Sequence, residues 1–165
     1  MRLCTVVVAI VLCLCFTGCG EPQKTSSLFY KAAASDGVEL LVERDVERQG
    51  LLVTFSPDQS KEPCHLYDTD LPLNSLAGVG RPTRVELVEN ALLAVAGKVH
   101  VHETLITEAT DLKSYPAGPV HISMPLQLLA EDAPDKIDVT LLLTYMACGD
   151  MFCCPPVTQK EVQVS

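Results

Sequence analysis

The chain has 165 residues, a formal net charge of −9, and 48% hydrophobic but only 5% aromatic content. Twelve Lys and Arg against 21 Asp and Glu give no basic surface to neutralise phosphates, which argues against a nucleic-acid binder and against charge-driven adsorption to an anionic membrane. Eight cysteines make the redox compartment the first question.

The chain opens MRLCTVVVAIVLCLCFTGC. One basic residue, Arg2, precedes an apolar run from Thr5 to Phe16. That run fits a secretory h-region of about 7–15 residues and falls short of the roughly 20 needed to span a bilayer. Its end, Phe16-Thr17-Gly18-Cys19, resembles the bacterial lipobox, with Phe16 where Leu is usual. Residues 1–18 are therefore expected to be a lipoprotein signal peptide and Cys19 the lipidated residue; a plain signal peptide cut near Gly18 is the alternative. The expected location is the periplasmic side of a bacterial membrane, held by a lipid anchor, or outside the cell if Cys19 is not lipidated. The chain left after cleavage is long enough for one domain with a real core.

Polar, turn-rich GEPQKTSS (residues 20–27) opens a tether read over 19–37, and the domain is read over 38–165. Strand signals then dominate. VELLVER (38–44) and LLVTFS (51–56) flank a charged turn, and TRVELVE (83–89), ALLAVAG (91–97) and KVHVHETLI (98–106) come after it. PVHISMPLQLL (119–129) aligns Val120, Ile122, Met124, Leu126 and Leu128 on one face. IDVTLLLTY (137–145) does the same with Ile137, Val139, Leu141, Leu143 and Tyr145. Proline and glycine punctuate these runs, and none has a convincing helical period. About eight short strands predict an all-β fold, a two-sheet antiparallel β-sandwich. Pro125 lacks a ladder N–H, so an edge or a bulge is expected there.

Cys148, Cys153 and Cys154 crowd into MACGDMFCCPP (146–156). Turn-favouring Gly149 and Asp150 come after the strand ending at Tyr145, and Pro155-Pro156 halts any regular structure beyond Cys154, so the cysteines are expected on a short loop at a strand end. A Cys148–Cys153 bridge closes a ring of about six residues, which the chain-entropy estimate values at only roughly 2 kcal/mol. Stapling alone is a weak reason for such a bond, whereas a tight loop with an exposed sulfur suits exchange. Cys154 is an alternative partner for Cys148; a vicinal Cys153–Cys154 bridge would strain the intervening peptide. Asp150 lies between the sulfurs and no Lys or Arg falls between Lys136 and Lys160, which disfavours a thiolate until a docked partner activates it.

LTYMACGDMFCCPP (143–156) resembles the signature of the N-terminal periplasmic domain of the DsbD thiol:disulfide interchange family, a strand ending Thr-Tyr-Gln-Ala-Cys, a short spacer, then Cys-x-Pro-Pro. Thr144, Tyr145, Ala147, Cys148, Cys153, Pro155 and Pro156 match; Met146 replaces Gln, and Cys154 fills a slot usually Leu or Tyr. Upstream, CHLYDTDLP (64–72) resembles the family's Gly-Tyr/Trp-His-x-Tyr segment at His65 and Tyr67. GVGRPTRVEL (78–87) resembles its Gly-x-Pro-Thr segment, and YPAGPVHISMPL (115–126) its Tyr-x-Gly stretch.

The resemblance implies an immunoglobulin-like sandwich whose Cys148–Cys153 dithiol/disulfide relays reducing equivalents from a membrane-embedded electron donor to thioredoxin-like periplasmic proteins. It implies no cofactor beyond the redox-active disulfide, with Cys153 as attacking sulfur and Cys148 as resolver. His65, Tyr67, Tyr145 and Asp150 become candidate supporting residues. The family's transmembrane and thioredoxin-like domains do not follow here, so the donor is expected to be a separate protein. In the family an aromatic-bearing loop shields the pair; the corresponding stretch, 85–93, carries leucines and valines but no Phe.

Cys64 falls in a segment that the resemblance packs near the pair, leaving open a structural Cys64–Cys154 bridge or a free buried Cys64. His100 and His102, two apart on a strand, share a face, and with His121 they offer nitrogens for copper or zinc, although solvent-facing histidines on a sheet are commoner. Competing readings are a metal-binding module using Cys148, Cys153, Cys154 and a histidine, or a structural lipoprotein merely stapled by its bridges. No Gly-x-Ser-x-Gly elbow or Gly-rich phosphate loop supports a hydrolase or a nucleotide site.

Overall fold

The computed structural model describes residues 28–32, 36–74, 80–107, 112–132 and 136–165. The expected signal segment 1–18, Cys19, and residues 20–27 and 33–35 of the expected tether lie outside the described residues. Among the described residues the elements are strands joined by turns, and no helix is long and apolar enough to cross a membrane. The strands are β1 (Leu28–Ala32), β2 (Val38–Asp45), β3 (Gly50–Pro57), β4 (Arg84–Leu87), β5 (Leu93–Val95) and β6 (His100–Val101). They continue with β7 (Ile106–Thr107), β8 (Lys113–Ser114), β9 (Val120–Leu128), β10 (Val139–Tyr145) and β11 (Val157–Val164).

Period-two alternation decides the layers. β2 buries Val38, Leu40 and Val42, β3 buries Leu51, Val53 and Phe55, and β9 buries Val120, Ile122 and Met124. These strands lie side by side, all antiparallel, in the order β1-β2-β3-β9, with β5 and β6 both pairing the far side of β9. The second sheet runs β11-β10-β4, and β10 turns Val139, Leu141, Leu143 and Tyr145 inward as the sequence pattern predicts. Side chains from both sheets form one continuous apolar cluster. The Phe55 and Tyr145 rings meet edge-on across it with centroids 5.4 Å apart. The fold is thus the expected all-β antiparallel sandwich.

Three departures have local causes. β1 pairs with β2 from Leu28↔Glu43 to Ala32↔Leu40, so the sheet begins inside the stretch read as tether. Pro125 lies on a central strand rather than at a sheet edge, regular towards β3 but beside a register slip on its other side, between Ser123↔His100 and Leu126↔Val95. β9 pairs β6 at Ile122 and Ser123 and β5 from Leu126 onward, so the residue without an N–H falls where one neighbour hands over to the other. β11, which the sequence does not announce, changes parity, burying Val157 and then Val162 and Val164. Gln159 adopts φ 49°, its N–H donates to Thr144 Oγ1 at 3.1 Å, and the register slips from Tyr145↔Val157 to Leu143↔Lys160. One extra residue in the ladder flips every side chain after it.

Candidate functional site: a cystine hairpin at the end of β10

Past Tyr145 the chain leaves the main sheet and builds a small one around Cys148. His65 N–H donates to Cys148 O at 2.9 Å, and Cys148 N–H donates back to His65 O at 3.1 Å. On the other side the chain reverses: Gly149 N–H donates to Phe152 O at 2.9 Å and Cys154 N–H to Ala147 O at 2.8 Å. Those two bonded pairs bracket Cys148 and Cys153, which therefore face each other as a non-hydrogen-bonded pair, the position where facing side chains come closest. The two residues are bridged, with Cα atoms 4.0 Å apart and a sequence separation of five. Cys154 is thereby excluded as the partner of Cys148.

The two half-cystines sit in different environments. Cys148 is 2% exposed, while Cys153 is on the exposed side of the hairpin. Cys148 packs with Tyr67, Leu71, Leu112 and the half-buried Met146 in a cluster separate from the main core. His65 stands edge-on to Tyr67 with ring centroids 5.1 Å apart. The backbone thus lines His65, Cys148 and Cys153 in register, and Tyr67 covers the buried sulfur residue. Arg84 holds part of that cover: its Nε donates to Thr69 O at 2.6 Å and its guanidinium to Leu71 O at 2.8 Å.

A carboxylate that sequence reasoning missed shapes the tip. Glu62 Oε1 accepts the N–H of Met151 at 3.1 Å and of Phe152 at 3.3 Å. The same side chain fills the space a Cβ would need at Gly149, so glycine there serves both the turn and the approach of Glu62. Lys61 Nζ lies 5.6 Å from the centroid of the Phe152 ring. The cation absent between Lys136 and Lys160 is supplied from a distant segment. No local pattern signals Glu62 or Lys61, because each reaches the hairpin from about ninety positions away. Met151, 87% exposed, and the neighbouring Phe152 leave an apolar tip beside Cys153.

The remaining cysteines among the described residues are unbridged, so the Cys64–Cys154 bond is not formed and Cys64 is free and buried. Gln59 brackets Cys64, its Oε1 accepting from Cys64 N–H and its Nε2 donating to Cys64 O, both at 2.9 Å. Burial pushes the Cys64 thiol above its ordinary range, helped by the proximity of Cys154 and Glu62. Burial and the Asp58 charge raise Cys154 too, with Lys61 opposing. Cys154 Sγ rests against Gly37, whose φ of 76° and lack of a Cβ permit that contact.

His65 and Tyr67 are therefore beside the bridge. Tyr145 is not: it points into the sandwich core, where burial drives its phenol far above its ordinary range and its hydroxyl donates to Asp36 Oδ2 at 3.4 Å. Asp150 is exposed at the turn. The stretch 85–93 runs away from the sulfurs, because β4 pairs antiparallel to β10 with Arg84 opposite Thr144 and Leu87 opposite Leu141. Cover comes instead from Tyr67, Leu71 and Leu112. Among the described residues, no group of three or more His, Cys, Asp or Glu side chains is arranged to hold a metal ion.

The fold and site define an all-β sandwich carrying a half-buried cystine in a hairpin at one end. Compared with family models, curated proteins and solved structures, the chain finds no match.

Proposed function

We propose that the protein is an extracytoplasmic thiol–disulfide interchange module, cycling Cys148 and Cys153 between dithiol and disulfide. It would pass electrons from a membrane-embedded donor to thioredoxin-like proteins. The asymmetry of the bridge is the observation that carries the reading: one half-cystine residue exposed at an apolar tip, the other buried beneath Tyr67. In the reduced form the Cys153 thiolate attacks a substrate disulfide, forming one S–S bond and expelling a substrate thiolate that takes up a proton. Cys148 then attacks Cys153 Sγ, reforming the bridge and releasing the second substrate thiol. Two electrons and two protons pass to the substrate, and a donor dithiol restores the pair by the reverse route. The immunoglobulin-like topology, the lipid anchor at Cys19 and the supporting roles of His65, Tyr67 and Asp150 belong to the same reading, which rests on the resemblance of residues 143–156.

The test uses reduced protein in a Cys64→Ala/Cys154→Ala background, mixed with oxidised thioredoxin. Adding Cys148→Ser is expected to accumulate a mixed disulfide through Cys153, and adding Cys153→Ser to abolish transfer with the sandwich still folded. The reading fails if the native bridge resists thioredoxin and dithiothreitol alike, or if both serine variants transfer as the parent does.

A further inference from the structure

Three of the chain's four histidines gather on one face where β6 and the residue after it flank β9. The His100 and His102 rings have centroids 5.1 Å apart, and His102 and His121 are 6.4 Å apart. Imidazole nitrogens bind a metal at about 2.0–2.1 Å, which sets two ring centroids about 4.5–6.4 Å apart on one ion, from adjacent to opposite positions. The 5.1 Å His100–His102 contact is edge-on and falls within that range; the 6.4 Å His102–His121 pair reaches only its outer limit.

The hydrogen bonds beneath these rings fix which nitrogens keep a lone pair. Ser123, fully buried, donates its single hydroxyl proton to Asp45 Oδ2 at 2.6 Å. Burial opposes the Asp45 charge, but the bonds from Ser123 and Arg48 outweigh it and hold the carboxyl below its ordinary range, so it stays an acceptor. Towards His102 the Ser123 oxygen can then only accept. The 2.8 Å contact to His102 Nε2 is therefore an Nε2–H donation, and in the neutral ring Nδ1 carries the lone pair. His121 is held in the opposite sense, donating Nδ1–H to Glu103 Oε1 at 2.7 Å, so that Nε2 is the nitrogen open to a metal in the neutral ring. A ring held through one nitrogen by a carboxylate or hydroxyl, with the other nitrogen free, is the arrangement that orients metal-binding histidines.

We infer that His100 and His102 form a two-imidazole chelate for a divalent transition-metal ion, with water in the open positions and His121 as a neighbouring third imidazole. Among such ions copper(II) is preferred, since nitrogen sites bind it above nickel and zinc. Asp45 and Ser123 act as positioning residues for His102. The site lies on the β6/β9 face, does not involve the cystine hairpin, and stands independently of the interchange reading.

The test titrates the full disulfide-closed protein with copper(II) chloride, followed by electron paramagnetic resonance for nitrogen ligation and by broadening of histidine ring resonances. One equivalent is expected to bind with nitrogen hyperfine structure, broadening His100 and His102 before His65. His100→Ala and His102→Ala, both exposed positions, are each expected to weaken binding by about tenfold or more. Ser123→Ala keeps both ligands yet frees the His102 tautomer, and a several-fold loss is expected. Sulfur ligation through Cys64 or Cys154, no binding at micromolar copper, or less than a tenfold change in either histidine variant overturns the inference.

Discussion

Removing the Glu62 carboxylate is expected to make the Cys148–Cys153 bridge easier to reduce. Two backbone amides, those of Met151 and Phe152, end on its Oε1 at 3.1 and 3.3 Å. They hold the tip from outside the hairpin's own ladder and the His65 pairing. Charge-assisted bonds of this kind contribute about 1.5–3 kcal/mol each when shielded. Here the amides are exposed, and solvent screening reduces each to about 0.5–1 kcal/mol. Glu62→Ala therefore removes about 1–2 kcal/mol of support for the closed hairpin, a factor of about 5–30 in its closing equilibrium. In a glutathione buffer the bridge is expected to open at a potential about 20–40 mV less reducing than in the parent, since about 30 mV corresponds to 1.4 kcal/mol for two electrons. Glu62→Gln keeps a neutral oxygen acceptor and is expected to fall between. Quantifying reduced and oxidised protein by alkylation and mass shift checks this; a Glu62→Ala protein that is folded and within about twofold of the parent equilibrium refutes the clamp.

Other expectations concern the bridge, its cover and the free thiols. Cys148→Ala/Cys153→Ala should lose only about 2 kcal/mol from the opened ring, so urea denaturation should still give one cooperative transition. Arg84→Ala forfeits the bonds to Thr69 and Leu71, about 1.5–3 kcal/mol, and is expected to speed dithiothreitol reduction as the cover over Cys148 loosens. Cys64 and Cys154 are both raised, so the folded state holds their protons more tightly than the unfolded chain. Their contribution to stability is intact below the ordinary thiol value of 9.0 and lost as pH rises through the folded values. Urea midpoints should fall above about pH 9, by less in Cys64→Ala, and iodoacetamide should label the folded thiols slowly at pH 8 relative to the denatured chain.

How much of this was legible depended on whether the cause was local. Val38, Leu40 and Val42, or Leu141, Leu143 and Tyr145, declare their strands because each alternation is set by neighbours two positions away. β11 was hidden because the bulge at Gln159 breaks its parity, and β1 because the five residues LFYKA carry apolar side chains on both faces, so no alternation marks them. At the site, the cysteine spacing was readable and the placing of His65 and Tyr67 followed from resemblance. Tyr145, named by the same motif, lies three positions from Cys148, hence on the opposite side of an extended chain, and packs in the main core. Glu62, Lys61 and Arg84 act across the fold, where no periodicity reaches.

The division between the two apolar clusters gives the redox reading its physical basis. The main core is closed by Phe55, Tyr145 and the inward valines and leucines of both sheets, and Cys148 contributes nothing to it. Its neighbours are Tyr67, Leu71, Leu112 and Met146, a set small enough to rearrange without exposing the sandwich interior. Opening the bridge releases a ring worth about 2 kcal/mol, well below the roughly 5–15 kcal/mol that typically separates folded from unfolded domains. The same bond buried in the main core would couple each redox turnover to the packing of Phe55 against Tyr145. Placed one strand-end beyond, tied by backbone bonds to His65 and packed only against that small cluster, the bridge lies outside the packing of the two sheets.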